Sequence, residues 1–241
     1  MSLIHSLNKR IARLGTNPTL ARRHGALFLL DRRNWIDNRL LARAPFEDAQ
    51  IESARRIVQA EAIDTVLDIG ANIGLYTIVL GRLPGVRAVH AFEPVARNVN
   101  QLHGNVFAND LDDVVRVHRL ALSDREGEAQ IHVDPRSTGV STLEAGQAER
   151  RPRAYRAQET VRLARLDDVL ALEGARVFVK IDVEGHALAV LRGMPRFLAA
   201  NAVVLQVELL ETDRAAIVAA LDEAGYRLDA EISGDGIFRR R

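Results

Sequence analysis

Across 241 residues there is no cysteine, which excludes disulfides, thiolate zinc sites and a cysteine nucleophile and fits a reducing, cytoplasmic setting. Lys and Arg number 33 against 32 Asp and Glu, a net charge of +1 that argues against a general nucleic-acid binder. No apolar run approaches the ~20 residues that cross a bilayer. The length suits one domain with an extension, divided at 1–62 and 63–241.

Met1 to Leu14 alternate apolar and basic residues and lack the apolar core of a signal peptide. They read as an amphipathic helix that caps the domain or joins a dimer. The whole of 1–62 reads as mainly helical, with breaks at Gly15 to Pro18 and at Pro45, a lid or dimerisation element. Its last helix places Ile51, Ala54 and Val58 on one face, and Glu47 stands ahead of it, where it caps the helix or reaches a bound cofactor. Trp35 and Phe46 read as packing groups.

From residue 64 the pattern alternates strand and helix, as in a mostly parallel sheet covered on both faces. Strands are expected at 65–69, 87–92, 114–119, 176–182 and 203–209, with short extra strands at 127–133 and 159–163. Val95, Val99, Leu102 and Val106 make a helical stripe. Residues 134–158, rich in Gly, Ser, Arg and Pro, read as a loop or lid. Asp167 and Asp168 favour the start of a short helix. Tyr226 to Ala230 and Gly236 to Arg240 suggest a closing antiparallel hairpin.

The stretch Val66-Leu67-Asp68-Ile69-Gly70-Ala71-Asn72-Ile73-Gly74 is a strand running into a glycine turn and then a helix. It lacks the middle glycine of the dinucleotide fingerprint, and it puts the carboxylate of Asp68 just before the turn. An anion there repels a phosphate but suits a cationic ligand with hydroxyl donors. S-adenosylmethionine (SAM) has a sulfonium, an ammonium and two ribose hydroxyls. Glu93 ends the next strand, where a carboxylate accepts from ribose hydroxyls. Asn72 caps the following helix or touches the methionine moiety.

With these residues the chain resembles the FkbM-type SAM-dependent methyltransferases. The matching segments are VLDIGANIGLYT (66–77), AFEP (91–94), ALSD (121–124), RLDDVL (165–170), KIDVEG (180–185) and LRG (191–193), in the family's order over roughly 64–211. The resemblance implies an α/β class I methyltransferase fold, Rossmann-like, with a C-terminal antiparallel hairpin. It also implies O-methylation of a sugar or natural-product hydroxyl. By the same resemblance the cofactor lies along Asp68, Gly70, Asn72 and Gly74 and touches Asp182, with Glu93 and Pro94 at the ribose, Ala121, Leu122 and Asp124 at the adenine, and Ser141 and Thr142 in a turn near it.

In the segment 180–185, strand alternation puts Phe178, Lys180 and Asp182 on one face, with Glu184 near their projection. A lysine in a central strand needs a partner, and Asp182 is the nearest. Gln206 and Glu208 lie on the same face of the next strand. Methyl transfer to an alcohol requires removal of the hydroxyl proton, for which Asp182, Glu184, His186 and Lys180 are the candidates. Mg²⁺ is not expected; an ion there would take Asp182 and Glu208 as ligands. The remaining histidines show no metal-ligand spacing. Two other functions compete, an NAD-dependent Rossmann oxidoreductase and a catalytically inactive SAM-binding scaffold. The expected partner is a small-molecule or glycan hydroxyl acceptor, with no nucleic acid, no membrane span and a possible homodimer through the N-terminal region.

Overall fold

The computed structural model describes residues 17–134, 136, 137, 139, 141–143 and 157–241. The expected helix at Met1 to Leu14 and most of the 134–158 loop lie outside them. The described chain begins with a hairpin, β1 (Thr19–Arg23) and β2 (Ala26–Leu30), followed by α1 (Trp35–Leu41) and α2 (Asp48–Ala60). The 1–62 region is therefore not helical throughout. Residues 26–30 alternate between buried and half-buried, which is the two-residue period of a strand. The hairpin packs on a helix farther along the chain, and that contact was invisible to a reading by helical breaks.

The central sheet follows. β3 (Thr65–Ile69), α3 (Leu75–Gly81), β4 (Ala88–Phe92), α4 (Ala96–Ala108) and β5 (Val115–His118) wind in one direction. β6 (Ala121–Leu122), β7 (Gly127–Val133) and β8 (Ala157–Ala164) make a separate three-stranded sheet in the order β6-β8-β7. After α5 (Leu166–Val169), the chain returns to the centre as β9 (Arg176–Ile181). It continues through α6 (Ala187–Arg192), α7 (Pro195–Ala200), β10 (Ala202–Glu208), α8 (Arg214–Glu223), β11 (Tyr226–Ile232) and β12 (Asp235–Arg240). The order across the seven strands is β11-β12-β10-β9-β3-β4-β5. β10, β9, β3, β4 and β5 are parallel, and β12 is antiparallel to both β10 and β11. The strands stand within a residue or two of where the pattern put them.

Both faces of the sheet are apolar because parallel strands are covered on both sides. Val66 and Phe178 join one cluster with α2, α3, α4 and the hairpin. Leu67, Val177, Val179 and Ile181 join the other, with α6, α7 and α8. The alternation expected along β9 is thus observed. On α2, Ile51, Ala54, Ile57 and Val58 are the buried face. Asp167, in the first turn of α5, accepts from the backbone N–H of Arg196 at 3.0 Å and of Phe197 at 2.8 Å, so it holds the start of α7.

Asn105 ties the hairpin to the glycine turn. Its Oδ1 accepts from Leu29 N at 2.6 Å, and its Nδ2 donates to Ile73 O at 2.7 Å. Asn105→Ala leaves the buried Ile73 carbonyl and the half-buried Leu29 N–H unpaired and is expected to cost about 1–3 kcal/mol, measured by urea unfolding.

Candidate cofactor and acceptor site

The winding reverses between β3 and β9, and a crevice opens beyond their C-terminal ends, the usual ligand position in such sheets. The turn after β3 is closed tightly. Gly70 N and Ala71 N donate to Phe92 O, and Asp182 N donates to Ile69 O at 2.9 Å. Gly70 has φ +85, and a Cβ on it would lie 1.8 Å from the carbonyl oxygen of Asp182. Only glycine lets the strand ends approach this closely. Gly74 begins α3 with φ +86 and packs against Leu102.

Asp68 is buried, and its Oδ2 accepts from Thr77 N at 2.9 Å and Thr77 Oγ1 at 2.6 Å. It therefore holds the first turn of α3, the role expected of Asn72. Asn72 instead sits in a left-handed conformation and donates its backbone N–H to Glu93 Oε2 at 2.8 Å. Its Oδ1 is buried without a hydrogen-bond partner among the described residues. Glu93 also accepts from Val95 N at 2.8 Å and Asn98 Nδ2 at 3.2 Å. These three donors fix the carboxylate at the end of β4.

Two adjoining cavities fill the crevice. The first, about 550 Å³, is a slot with Phe92, Leu122, Ile131 and Leu143 among its apolar walls and Glu93 and His186 among its polar groups. Pro94 and Ala121 also line it. Asp124 does not; it receives a hydrogen bond from Ser123 Oγ and pairs with Arg125 at 3.2 Å. His186 shares a hydrogen bond of 3.0 Å with Ser123 Oγ. Of the turn at 141–142, Ser141 lines the slot, and Thr142 Oγ1 donates to Glu184 O at 3.0 Å.

The second cavity, about 860 Å³, meets the first at Gly70, Asn72, Gly139, Asp182 and Glu184. Trp35, Phe46 and Leu75 contribute apolar wall, and Glu47, Asp68 and Glu208 join Asp182 and Glu184 as acids. Trp35 and Phe46 do pack edge to face, 6.4 Å apart, with the Arg39 guanidinium 4.9 Å from the Trp35 ring centre. They also border the cavity, and Trp35 stays 46% exposed.

Lys180 is fully buried below this cavity. Its close partner is not Asp182, at 3.7 Å, but Asp235 at the start of β12, at 2.8 Å. The same Asp235 oxygen accepts from Gln206 Nε2 at 2.7 Å. Asp235 follows the two-residue turn Ser233-Gly234, whose positive φ angles form the tight hairpin between β11 and β12. Burial alone would lower the Lys180 pKa, but Asp182, Asp235 and Glu47 outweigh it and raise it. Lys180 is thus a fixed cation.

Glu47 does not cap α2. It stands at φ 55 with no side-chain bond to the helix and is turned toward Tyr76 and the cavity. Burial, then the charge of Asp182, pushes Glu47 up to about 7, and burial, Asp182 and Glu184 push Glu208 up to about 9. Burial likewise raises Asp68 to about 6 and Glu93 to about 7. Among the described residues, no three His, Asp or Glu side chains gather as ligands of one metal ion.

A carboxyl with a raised folded pKa contributes stability below its unfolded value, and this is lost as pH rises through the folded one. His24, His90 and His118 are lowered by burial and act in the opposite sense, but only below about pH 6.5. Above about pH 6.5, Glu47, Glu93 and Glu208 therefore decide the trend. The melting temperature of the unliganded protein is expected to fall from there to about pH 9; a calorimetric series with a rising midpoint would contradict these assignments.

The residues present fit SAM. The apolar slot with Glu93 at its rim suits an adenosine, and the acidic cavity suits a sulfonium and an ammonium. Comparison with known proteins agrees. The Methyltransferase FkbM domain model matches residues 68–228. Methyltransferase sdnD of Sordaria araneosa is 30% identical over 155 residues, 54% of this chain and 60% of its own length, so the chain spans less than two thirds of that relative. The 31-O-demethyl-FK506 methyltransferase FkbM of Streptomyces tacrolimicus is 28% identical over 208 residues, covering 73% and 78%. Among solved structures, the Pyrococcus abyssi tRNA (uracil-54, C5)-methyltransferase bound to S-adenosyl-L-homocysteine shares the fold at TM-score 0.50. It is 15% identical and covers 94% of this chain and 44% of that one. With a family model matching more than half of its length, this chain belongs to the FkbM methyltransferase family.

Proposed function

We propose that the protein transfers the methyl group of SAM to a hydroxyl of a sugar or natural-product acceptor. The observation that carries this reading is the junction of the two cavities, where Asp182 and Glu184 line both. SAM supplies an electrophilic methyl group when bound. The chain's own residues do the rest. Glu93 accepts from ribose hydroxyls at the slot, and Asp68 and Lys180 hold the strand ends. The acceptor enters past Trp35 and Phe46, so the N-terminal segment acts as a lid on the second cavity.

Proton removal falls to Asp182 or Glu184. Lys180 is already protonated and held by Asp235. His186 lies on the slot side, bonded to Ser123, rather than in the second cavity. The Streptomyces tacrolimicus relative, a 31-O-demethyl-FK506 methyltransferase, supports O-methyl transfer. Family membership sets the NAD-dependent reading aside. The test is titration of the protein with SAM, followed by a radiolabelled methyl-transfer screen over hydroxylated acceptors. Glu93→Ala is expected to abolish SAM binding. Asp182→Asn and Glu184→Gln are expected to keep binding, and at least one should lose ~10²–10⁴-fold in turnover. Full turnover in both removes the carboxylates from the mechanism, and binding without transfer to any acceptor favours the inactive scaffold.

A further inference from the structure

Among the described residues, several carboxyl groups and one lysine line the second cavity. Asp68 comes from β3, Glu47 from the loop ahead of α2, Asp182 and Glu184 follow β9, and Glu208 ends β10. Among the described residues, Lys180 is the one basic side chain lining the cavity, and Asp235 and Asp182 already engage it. Glu47 faces Tyr76 from α3, Lys180 from β9, Asp182 just after it, and Asp235 from β12. Glu208 faces Asp182, Glu184, Lys180 and Asp235. Carboxylates crowded in this way cannot all ionise, so some keep their protons near neutral pH. Burial raises Glu47 to about 7 and Glu208 to about 9, in keeping with this crowding. The left-handed backbone at Glu47 serves no helix cap and turns the carboxyl inward, the kind of local strain found at ligand clamps.

Resting on the SAM reading above, we infer that Glu47 and Glu208 distinguish the charged methyl donor from its uncharged product by exchanging a proton for the sulfonium charge. Binding of SAM brings a positive charge into the cavity and expels a carboxyl proton to solvent. After transfer the sulfonium has become a neutral thioether, and the acceptor's hydroxyl proton has left. A carboxylate then regains a proton, and the hold on the product weakens. The same cavity that retains the donor thereby favours release of what remains of it.

The test is isothermal titration calorimetry of the full chain with SAM and, separately, with S-adenosylhomocysteine. Each titration is run in two buffers of different ionisation enthalpy, which counts the protons exchanged. SAM binding is expected to release part of a proton near neutral pH, and its affinity to rise by up to about tenfold per unit between about pH 6 and 8. S-adenosylhomocysteine, which lacks the sulfonium charge, should release less of a proton and show a shallower profile. Glu47→Gln should cut the proton release and bring the two affinities closer, and Glu208→Gln should do the same. Equal proton release and equal pH dependence for both ligands in the unaltered chain overturns the inference while leaving the cofactor site standing. Failure of both ligands to bind removes the site and the inference together.

Discussion

Replacement of Lys180 by methionine is expected to lower the unfolding free energy by about 3–5 kcal/mol. The methionine matches the lysine stem in length but brings no charge. Asp235, itself buried, then loses its 2.8 Å partner and keeps only Gln206. Asp182 loses its nearest cation as well. An unpaired buried carboxylate either remains charged at high cost or takes up a proton. The loss should therefore shrink at mildly acid pH, where protonation relieves it. Adding Asp235→Asn to the variant should restore part of the stability, because it removes the orphaned charge and keeps the shape. Urea unfolding of the two single variants and the double variant measures this coupling. Additive losses would show that Lys180 and Asp235 do not depend on one another.

The second large effect is expected at Gly70. An alanine there places its Cβ 1.8 Å from the Asp182 carbonyl oxygen, and φ +85 is unfavourable for any side chain. The crowding atom is backbone at the end of β9, which cannot rotate away. Strain and overpacking together are expected to cost about 2–6 kcal/mol and to force β3 and β9 apart where the two cavities meet. Gly85 is the control. Its φ is +94, but nothing lies within 4 Å of its would-be Cβ, so Gly85→Ala tests the backbone term alone. Thermal unfolding of both variants separates the two causes. An equal drop at each position would mean that conformation, not the approach of the strands, makes Gly70 necessary.

The glycine turn, Glu93 and the segment 180–185 were legible because each is local. A strand period running into glycines, or a carboxylate at a strand end, is written in consecutive residues. The partner of Lys180 was not legible in this way. Asp182 is two residues away and was the natural choice, whereas Asp235 is 55 residues away in the chain. In sequence, Asp235 reads only as part of the turn Ser233-Gly234-Asp235-Gly236. The one available signal was the expectation of a closing hairpin beside the strand that carries Gln206. For Glu47 the sequence left two readings, a helix cap or a reach toward the cofactor. Its place ahead of a helix fits a cap, and only the left-handed backbone, visible in three dimensions, turns it inward. The hairpin at 19–30 was lost because a lone pair of strands away from the main repeat resembles broken helix, until the helix it packs on is known.

The sequence by itself determined the alternation of strands and helices, the glycine turn between β3 and α3, and the family. All of these depend on periodicity and on short runs of residues whose geometry is set by their neighbours. Only the tertiary structure decided which acids surround Lys180, that Asp124 stands outside the slot, and that Trp35 and Glu47 border the second cavity. Those contacts join segments far apart in the chain. Their positions follow from how the sheet is ordered and how closely its strand ends approach, neither of which any short run of residues encodes.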